Sequence, residues 1–270
     1  MTRFFVFLCA FLVNYAALSP ASLAAEGPWA TTAQSRARLL TGTQEGATVH
    51  AALEIELASG WHTYWKIPGD AGLPPDLDWS KTPGVASSLV HWPAPRRMSE
   101  AGIITFGHTG RLLLPLEIAL KDPATPPATL DLNLSFMVCN NICIPEQLTL
   151  SAAVDNDATT HKRIMAARDA LPGTDHARMG IETVVASPDA LAIVVQSRDG
   201  FEGVDVIAAA GDRVFTATPN IALTAHDITK AMVTLEKPTG MANLNDFLAG
   251  KTLEVLLTRG DEAMLKTINF

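Results

Sequence analysis

Cys139 and Cys143 stand in the segment Ser135-Phe136-Met137-Val138-Cys139-Asn140-Asn141-Ile142-Cys143-Ile144-Pro145-Glu146, and the chain has one other cysteine, Cys9. Two thiols this close can do three things. They can close into a disulfide, exchange with the thiols of another protein, or hold a soft metal such as Cu(I) with Met137 as a third sulfur ligand. The compartment, and the elements that present the pair, decide among these.

The compartment is read from the N-terminus. Met1-Thr2-Arg3 is a short basic start, residues 4–18 are almost wholly apolar, and Ser22-Leu23-Ala24-Ala25 offers small residues for cleavage. Residues 1–25 therefore read as a signal peptide, with an apolar run shorter than the roughly 20 residues a membrane span needs. Export removes Cys9 and leaves Cys139 and Cys143 alone in an oxidising compartment, the periplasm. No later segment reads as transmembrane: the most apolar, residues 112–120, is interrupted by Pro115 and Glu117. The 20 Lys and Arg against 28 Asp and Glu give a net charge of −8, and the loss of Arg3 makes it −9. A surface of that sign, with no basic cluster to offset it, argues against nucleic acid as a partner.

The elements that must position the pair read as strands. Residues 49–57 alternate, with Leu53, Ile55 and Leu57 on one face and Glu54 and Glu56 on the other, as in a strand with one buried and one wet face. Residues 111–120, 128–138 and 144–154 continue the series. After a polar stretch from Asp155, residues 160–171 read as a short helix stopped by Pro172-Gly173. Beyond it, residues 181–186, 190–196, 204–208, 232–235, 253–258 and 264–268 are short apolar runs punctuated by Gly, Asp and Pro. All five tryptophans and Tyr64 precede position 100, whereas residues 151–270 have no Trp and no Cys. The chain is thus expected to be all-β, with two tandem β-sandwich domains at 26–157 and 158–270.

If residues 130–139 and 143–152 are adjacent antiparallel strands, Asn140-Asn141-Ile142 is a three-residue hairpin loop whose asparagines tolerate a left-handed backbone. The cysteines then face each other across the end of the hairpin at a separation a disulfide accepts. So small a ring stabilises by only about 2 kcal/mol, against about 4.7 for a hundred-residue loop. A fold needing a staple gains more by linking distant strands, which favours exchange over a purely structural bond.

Gly60-Trp61-His62-Thr63-Tyr64-Trp65, Trp92-Pro93-Ala94-Pro95, Phe106-Gly107, the run from Leu113 to Ile118 and the Cys139–Glu146 motif occur in an order that resembles one family. It is the N-terminal periplasmic domain of the thiol:disulfide interchange protein DsbD, and within it the ScsB-like, copper-sensitivity-suppressor variant. The resemblance covers about residues 30–155. It implies an immunoglobulin-like first domain and a thiol:disulfide oxidoreductase without a thioredoxin fold. The cysteine pair would take electrons from a membrane-embedded transporter and pass them to thioredoxin-like periplasmic proteins, with Cys143 as the attacking thiol. It also implies a loop covering the pair, which maps to residues 98–108. Phe106 is then the shielding side chain, Glu100 an acid that modulates the thiols, and Tyr64 and Trp61 the lining of a pocket. The membrane and thioredoxin-like domains of full-length relatives are not in this sequence, so the membrane step is assigned to a separate polypeptide.

Each of these residues has a plainer reading. Trp61 and Trp65 share one strand face, with Tyr64 opposite, and an aromatic strand is more often core than active site. His62 and His91 read as surface residues, and no His-x-His or Cys-x-x-Cys metal spacing occurs. Phe106 beside a glycine can simply plug a sandwich end, and Pro145-Glu146 can simply set a strand's entry. No hydrolase or phosphate-binding motif competes. Three functions stay open: thiol–disulfide exchange without a cofactor, Cu(I) binding by Cys139, Cys143 and Met137 in copper tolerance, and a non-catalytic interaction module with a structural disulfide.

Overall fold

The computed structural model describes residues 24–270. The signal-peptide reading falls almost wholly outside them, as does Cys9. Within them, Ala24 and Ala25 already pair with the fold, their carbonyls accepting from the amides of Ala153 and Thr41.

The first part of the chain forms β1 (Ala30–Thr31), β2 (Ser35–Glu45), β3 (Thr48–Leu57), β4 (His62–Gly69), β5 (Asp76–Asp78), β6 (Val85–Val90), β7 (Arg96–Glu100), β8 (Ile103–Thr109), β9 (Arg111–Leu120), β10 (Thr129–Cys139) and β11 (Cys143–Ala153). They make two antiparallel sheets, ordered β1-β2-β3-β9-β6 and β11-β10-β4-β8-β7, with β5 on β10. The alternation in β10 explains the packing. Leu130, Leu132, Leu134, Phe136 and Val138 point inward to meet Leu53, Ile55, Leu114 and Leu116 of the facing sheet. Asp131, Asn133, Ser135, Met137 and Cys139 therefore share the outer face. This is an immunoglobulin-like β-sandwich: the strand pattern predicts the sandwich, and the family resemblance its immunoglobulin-like form.

One face expected to be wet is covered. Glu54 is fully buried, although the alternation of β3 places it on the outer side. The helix α1 (Ala158–Asp169), capped by the Asp157 side chain on the Thr160 amide, lies over that face through Ile164, against Leu40 and Ala52. Arg38, Arg111 and Arg163 all bind the Glu54 carboxylate. Burial pushes its pKa up, but the Arg38 and Arg111 hydrogen bonds and the charges of Arg163 and Arg38 outweigh it and hold the carboxyl below its ordinary range. The helix, read from sequence as the start of the second part, thus packs on the first sandwich.

The second part forms β12 (Met179–Ala186), β13 (Ala190–Ser197), β14 (Val204–Ala210), β15 (Arg213–Val214), β16 (Asn220–Thr224), β17 (Asp227–Glu236), α2 (Leu244–Leu248), β18 (Thr252–Arg259) and β19 (Glu262–Asn269). Its two four-stranded sheets, β12-β13-β17-β16 and β15-β14-β18-β19, make the second sandwich of the tandem. The β14–β18 sheet is buried on both faces. Val206, Ala208, Val255 and Leu257 fill its own sandwich. Ile207, Ala209 and Leu256 pack in the opposite direction, onto Trp65 and Phe106 of the first. Arg97 fastens this junction. It donates to both carboxylate oxygens of Asp205 (3.3 and 3.1 Å) and to the carbonyls of Val206, Thr216 and Ala217 (3.1, 3.1 and 3.2 Å). Its guanidinium lies 4.8 Å from the centre of the Phe106 ring.

Candidate functional site

Strands β10 and β11 form the expected hairpin, with Cys139 opposite Cys143 and a disulfide between them. The loop differs in detail: neither Asn140 nor Asn141 takes a positive φ, and the Asn140 amide donates to the Ile142 carbonyl at 3.0 Å. The two sulfurs occupy unlike surroundings. Cys139 is 1% exposed, whereas Cys143 and its neighbour Ile142 are exposed. An incoming thiolate can therefore reach Cys143 Sγ, and Cys139 is the sulfur that must leave.

Tyr64 prepares the buried sulfur. Its ring is 3% exposed, and its hydroxyl donates to Cys139 Sγ at 3.0 Å, with Cys143 Sγ at 3.6 Å. Gly72 (φ +96°) closes over the ring: a Cβ there would fall 2.3 Å from Tyr64, so the loop after β4 can approach only as glycine. Burial raises the phenol's pKa above its ordinary value and the negative charge of Glu100 adds to the effect, so the hydroxyl stays protonated and remains a donor. Glu100 itself is exposed, at the tip of the β7–β8 hairpin.

The site gathers a residue that the sequence reading placed on the surface. His62 is the cross-strand partner of Cys139 in β4, and its ring stands edge-on to Tyr64, with centroids 5.4 Å apart and planes at 83°. Strand alternation from Tyr64 was the available signal, since a residue two positions away shares its face. Met137, two residues before Cys139, lies on the same face as the cysteine. Glu146 of the cysteine motif points the other way. It is 5% exposed and accepts from the hydroxyls of Thr32, at 2.7 Å, and Ser35, so it ties the hairpin to the opposite sheet.

Three expectations are corrected. Residues 98–108 are not an irregular loop, although Glu100 at their tip is near enough for its charge to act on Tyr64 and His62. The segment belongs to the β7–β8 hairpin, closed by Ala101 (φ +49°) and Gly102 (φ +83°) as a two-residue turn. Phe106 does not shield the disulfide. In register it alternates with Gly107, the partner of Tyr64, so it faces away from the cysteines and is fully buried against Trp65 and the second sandwich. Trp61 packs against the first core, a cluster that Tyr64 does not join. Among the described residues no three His, Cys, Asp or Glu side chains converge as a metal ion would need, and no helix is long and apolar enough to cross a membrane.

The family model for the N-terminal part of the thiol:disulfide interchange protein DsbD matches residues 33–155. No curated protein matches the chain. The crystal structure of the N-terminal periplasmic domain of ScsB from Proteus mirabilis aligns with a TM-score of 0.70 at 23% identity, covering 91% of this chain and 99% of that one. The two proteins therefore share their fold across both sandwiches. Crystal structures of the YadV chaperone and of the Pseudomonas aeruginosa CupB2 chaperone align at TM-scores of only 0.21 and 0.22, with 7% and 10% identity. They cover 87% and 82% of this chain and 99% and 92% of theirs, and similarity that low says nothing of the fold. With its strand order, its hairpin disulfide and the matched sequence together, the segment 33–155 belongs to the DsbD N-terminal domain family.

Proposed function

We propose that this protein is a periplasmic thiol–disulfide exchange protein that relays electrons through Cys139 and Cys143, between a separate membrane-embedded reductase and thioredoxin-like periplasmic partners. The observation that carries the reading is the asymmetry of the pair: an exposed Cys143 beside a buried Cys139 whose sulfur accepts a hydrogen bond from Tyr64. A structural bond gains nothing from such an arrangement, whereas exchange requires one sulfur to be reachable and the other to leave as a stabilised thiolate.

In the oxidising direction, the reduced protein's Cys143 thiolate attacks a partner disulfide and forms a mixed disulfide. Cys139 then attacks Cys143 Sγ, closes the internal bond and expels the partner's thiolate. Receipt of electrons is the reverse path, with Cys139 leaving as its sulfur gains charge beside the Tyr64 hydroxyl. Burial keeps the phenol protonated, and Glu100 at the rim adds to that by its charge.

Thiol trapping of the folded protein across a series of dithiol redox buffers tests the reading. A reversible transition in the range of known exchange proteins, between about −120 and −270 mV, is expected. A bond that stays closed below about −300 mV makes the disulfide structural and the protein an interaction module.

A further inference from the structure

In register, Cys143, Cys139, His62 and Thr109 form one row across β11, β10, β4 and β8. Cross-strand partners stand on the same face with Cβ atoms about 4.5–5.5 Å apart. The imidazole therefore flanks Cys139 on the side opposite Cys143, and Tyr64, two residues along, reaches back to the same sulfur at 3.0 Å. Cys139 is 1% exposed, so water has little access to its proton. The groups that face His62 are the two cysteines, Tyr64 on its own strand, Thr109 on β8 and the charge of Glu100 on β7. Tyr64 is a donor and Glu100 is out in solvent at the hairpin tip. Of these groups, His62 alone combines a basic nitrogen with a place beside the buried sulfur.

We propose that His62 is the general base of the resolving step, taking the proton of the Cys139 thiol as that sulfur attacks the mixed disulfide. The inference rests on the exchange reading and assigns a catalytic residue to it. When Cys143 is bonded to a partner cysteine, Cys139 is a thiol. Its proton passes to an imidazole nitrogen, and the electron pair of its S–H bond forms the Cys139–Cys143 bond. The Cys143–partner bond breaks with its pair on the partner sulfur. This chain is oxidised by two electrons, the partner is reduced, and the imidazolium releases its proton to the departing thiolate or to water. Burial supports the role, since it holds the imidazole below its ordinary pKa against the opposing pull of Glu100 and so keeps the base neutral at neutral pH.

The test uses an aromatic disulfide that releases a coloured thiolate. The reduced, full-length exported protein releases one equivalent as Cys143 attacks and a second as Cys139 resolves, and stopped-flow absorbance separates the two phases. His62→Gln and His62→Phe, the latter keeping an aromatic ring against Tyr64, are expected to slow the second phase about 100-fold at neutral pH, within the usual range for a general base. The first phase should change less than about twofold, and the defect should fade at alkaline pH as the thiol ionises unaided. In the wild type, the second phase should titrate below pH 6.5 with the imidazole. Added imidazole should partly rescue His62→Ala. Second phases that match the wild type in rate and pH profile, or a wild-type profile set by thiol ionisation alone, overturn the proposal. A wild type with no first phase overturns the exchange reading instead, so the two failures are told apart.

Discussion

Replacing Tyr64 with Phe removes a single oxygen atom from the disulfide's surroundings. The ring, 3% exposed and closed over by Gly72, has every reason to stay in place. What is lost is the donor 3.0 Å from Cys139 Sγ. A hydrogen bond to a neutral acceptor contributes about 0.5–1.5 kcal/mol and one to a charged acceptor about 1.5–3. The disulfide sulfur is neutral at the start of reduction and becomes a thiolate as it leaves. The bond is therefore worth about 1–1.5 kcal/mol more at the end of the step than at the beginning, and about half of that is realised in a transition state with half-developed charge. With 1.4 kcal/mol to a factor of ten, reduction of Tyr64→Phe by a small dithiol should be about two- to fourfold slower. Folding stability should stay within about 1 kcal/mol, since the variant strands no strong buried hydrogen-bonding group. Pseudo-first-order stopped-flow reduction, with denaturant melts of both oxidised proteins as the control, measures this. An equal or faster rate in a variant of unchanged stability refutes the idea that the hydroxyl stabilises the leaving sulfur.

Phe106→Ala should destabilise the protein by about 3–5 kcal/mol in chemical denaturation, because a fully buried ring leaves a cavity under Arg97. Alkylation of reduced Cys143 in the folded variant should be unchanged; an accelerated rate would restore a shielding role. His108, 8% exposed, is pushed from its ordinary 6.5 to about 4 by burial and by the charge of Arg96. Between those values the unfolded chain binds a proton that the folded one refuses, so stability falls as the pH drops from 6.5 towards 4, by about 3 kcal/mol from this residue. A His108→Gln variant should show a correspondingly flatter pH dependence of unfolding free energy, and identical slopes would show that the group is not responsible. Competition against a calibrated Cu(I) chelator should find only weak binding by the reduced protein, and tight binding abolished by Cys139→Ser would make copper handling the primary function.

The sequence made the cysteine hairpin legible because period-two alternation and a three-residue loop led by two asparagines specify both partners and register from local residues alone. It failed where burial is supplied from far along the chain. Glu54 alternates as a wet residue does, and only α1, more than a hundred residues later, covers it. Phe106 beside Gly107 looks the same in sequence whether it caps a disulfide or plugs a junction. The outcome was set by residues such as Ile207 and Leu256, whose own strands read as ordinary alternation. His62 went unrecognised for a related reason. A lone histidine has no periodicity, and its meaning comes from the row it occupies across four strands. Short or irregular edges, β1, β5 and β15, carry too few residues for any pattern.

A sheet with no free face changes what counts as a unit of folding. Cutting the chain after residue 157 to isolate the cysteine-bearing sandwich would bare Trp65 and Phe106 to water, orphan Arg97 and remove the helix that neutralises part of the Glu54 network. The released half would keep Ile207, Ala209 and Leu256 as an open apolar surface. Neither fragment inherits a finished exterior. The matched segment 33–155 is thus a unit of descent but not of stability, and the two sandwiches should melt as one cooperative body. The exposed sulfur is therefore presented by a scaffold about twice the size of the matched segment that carries it.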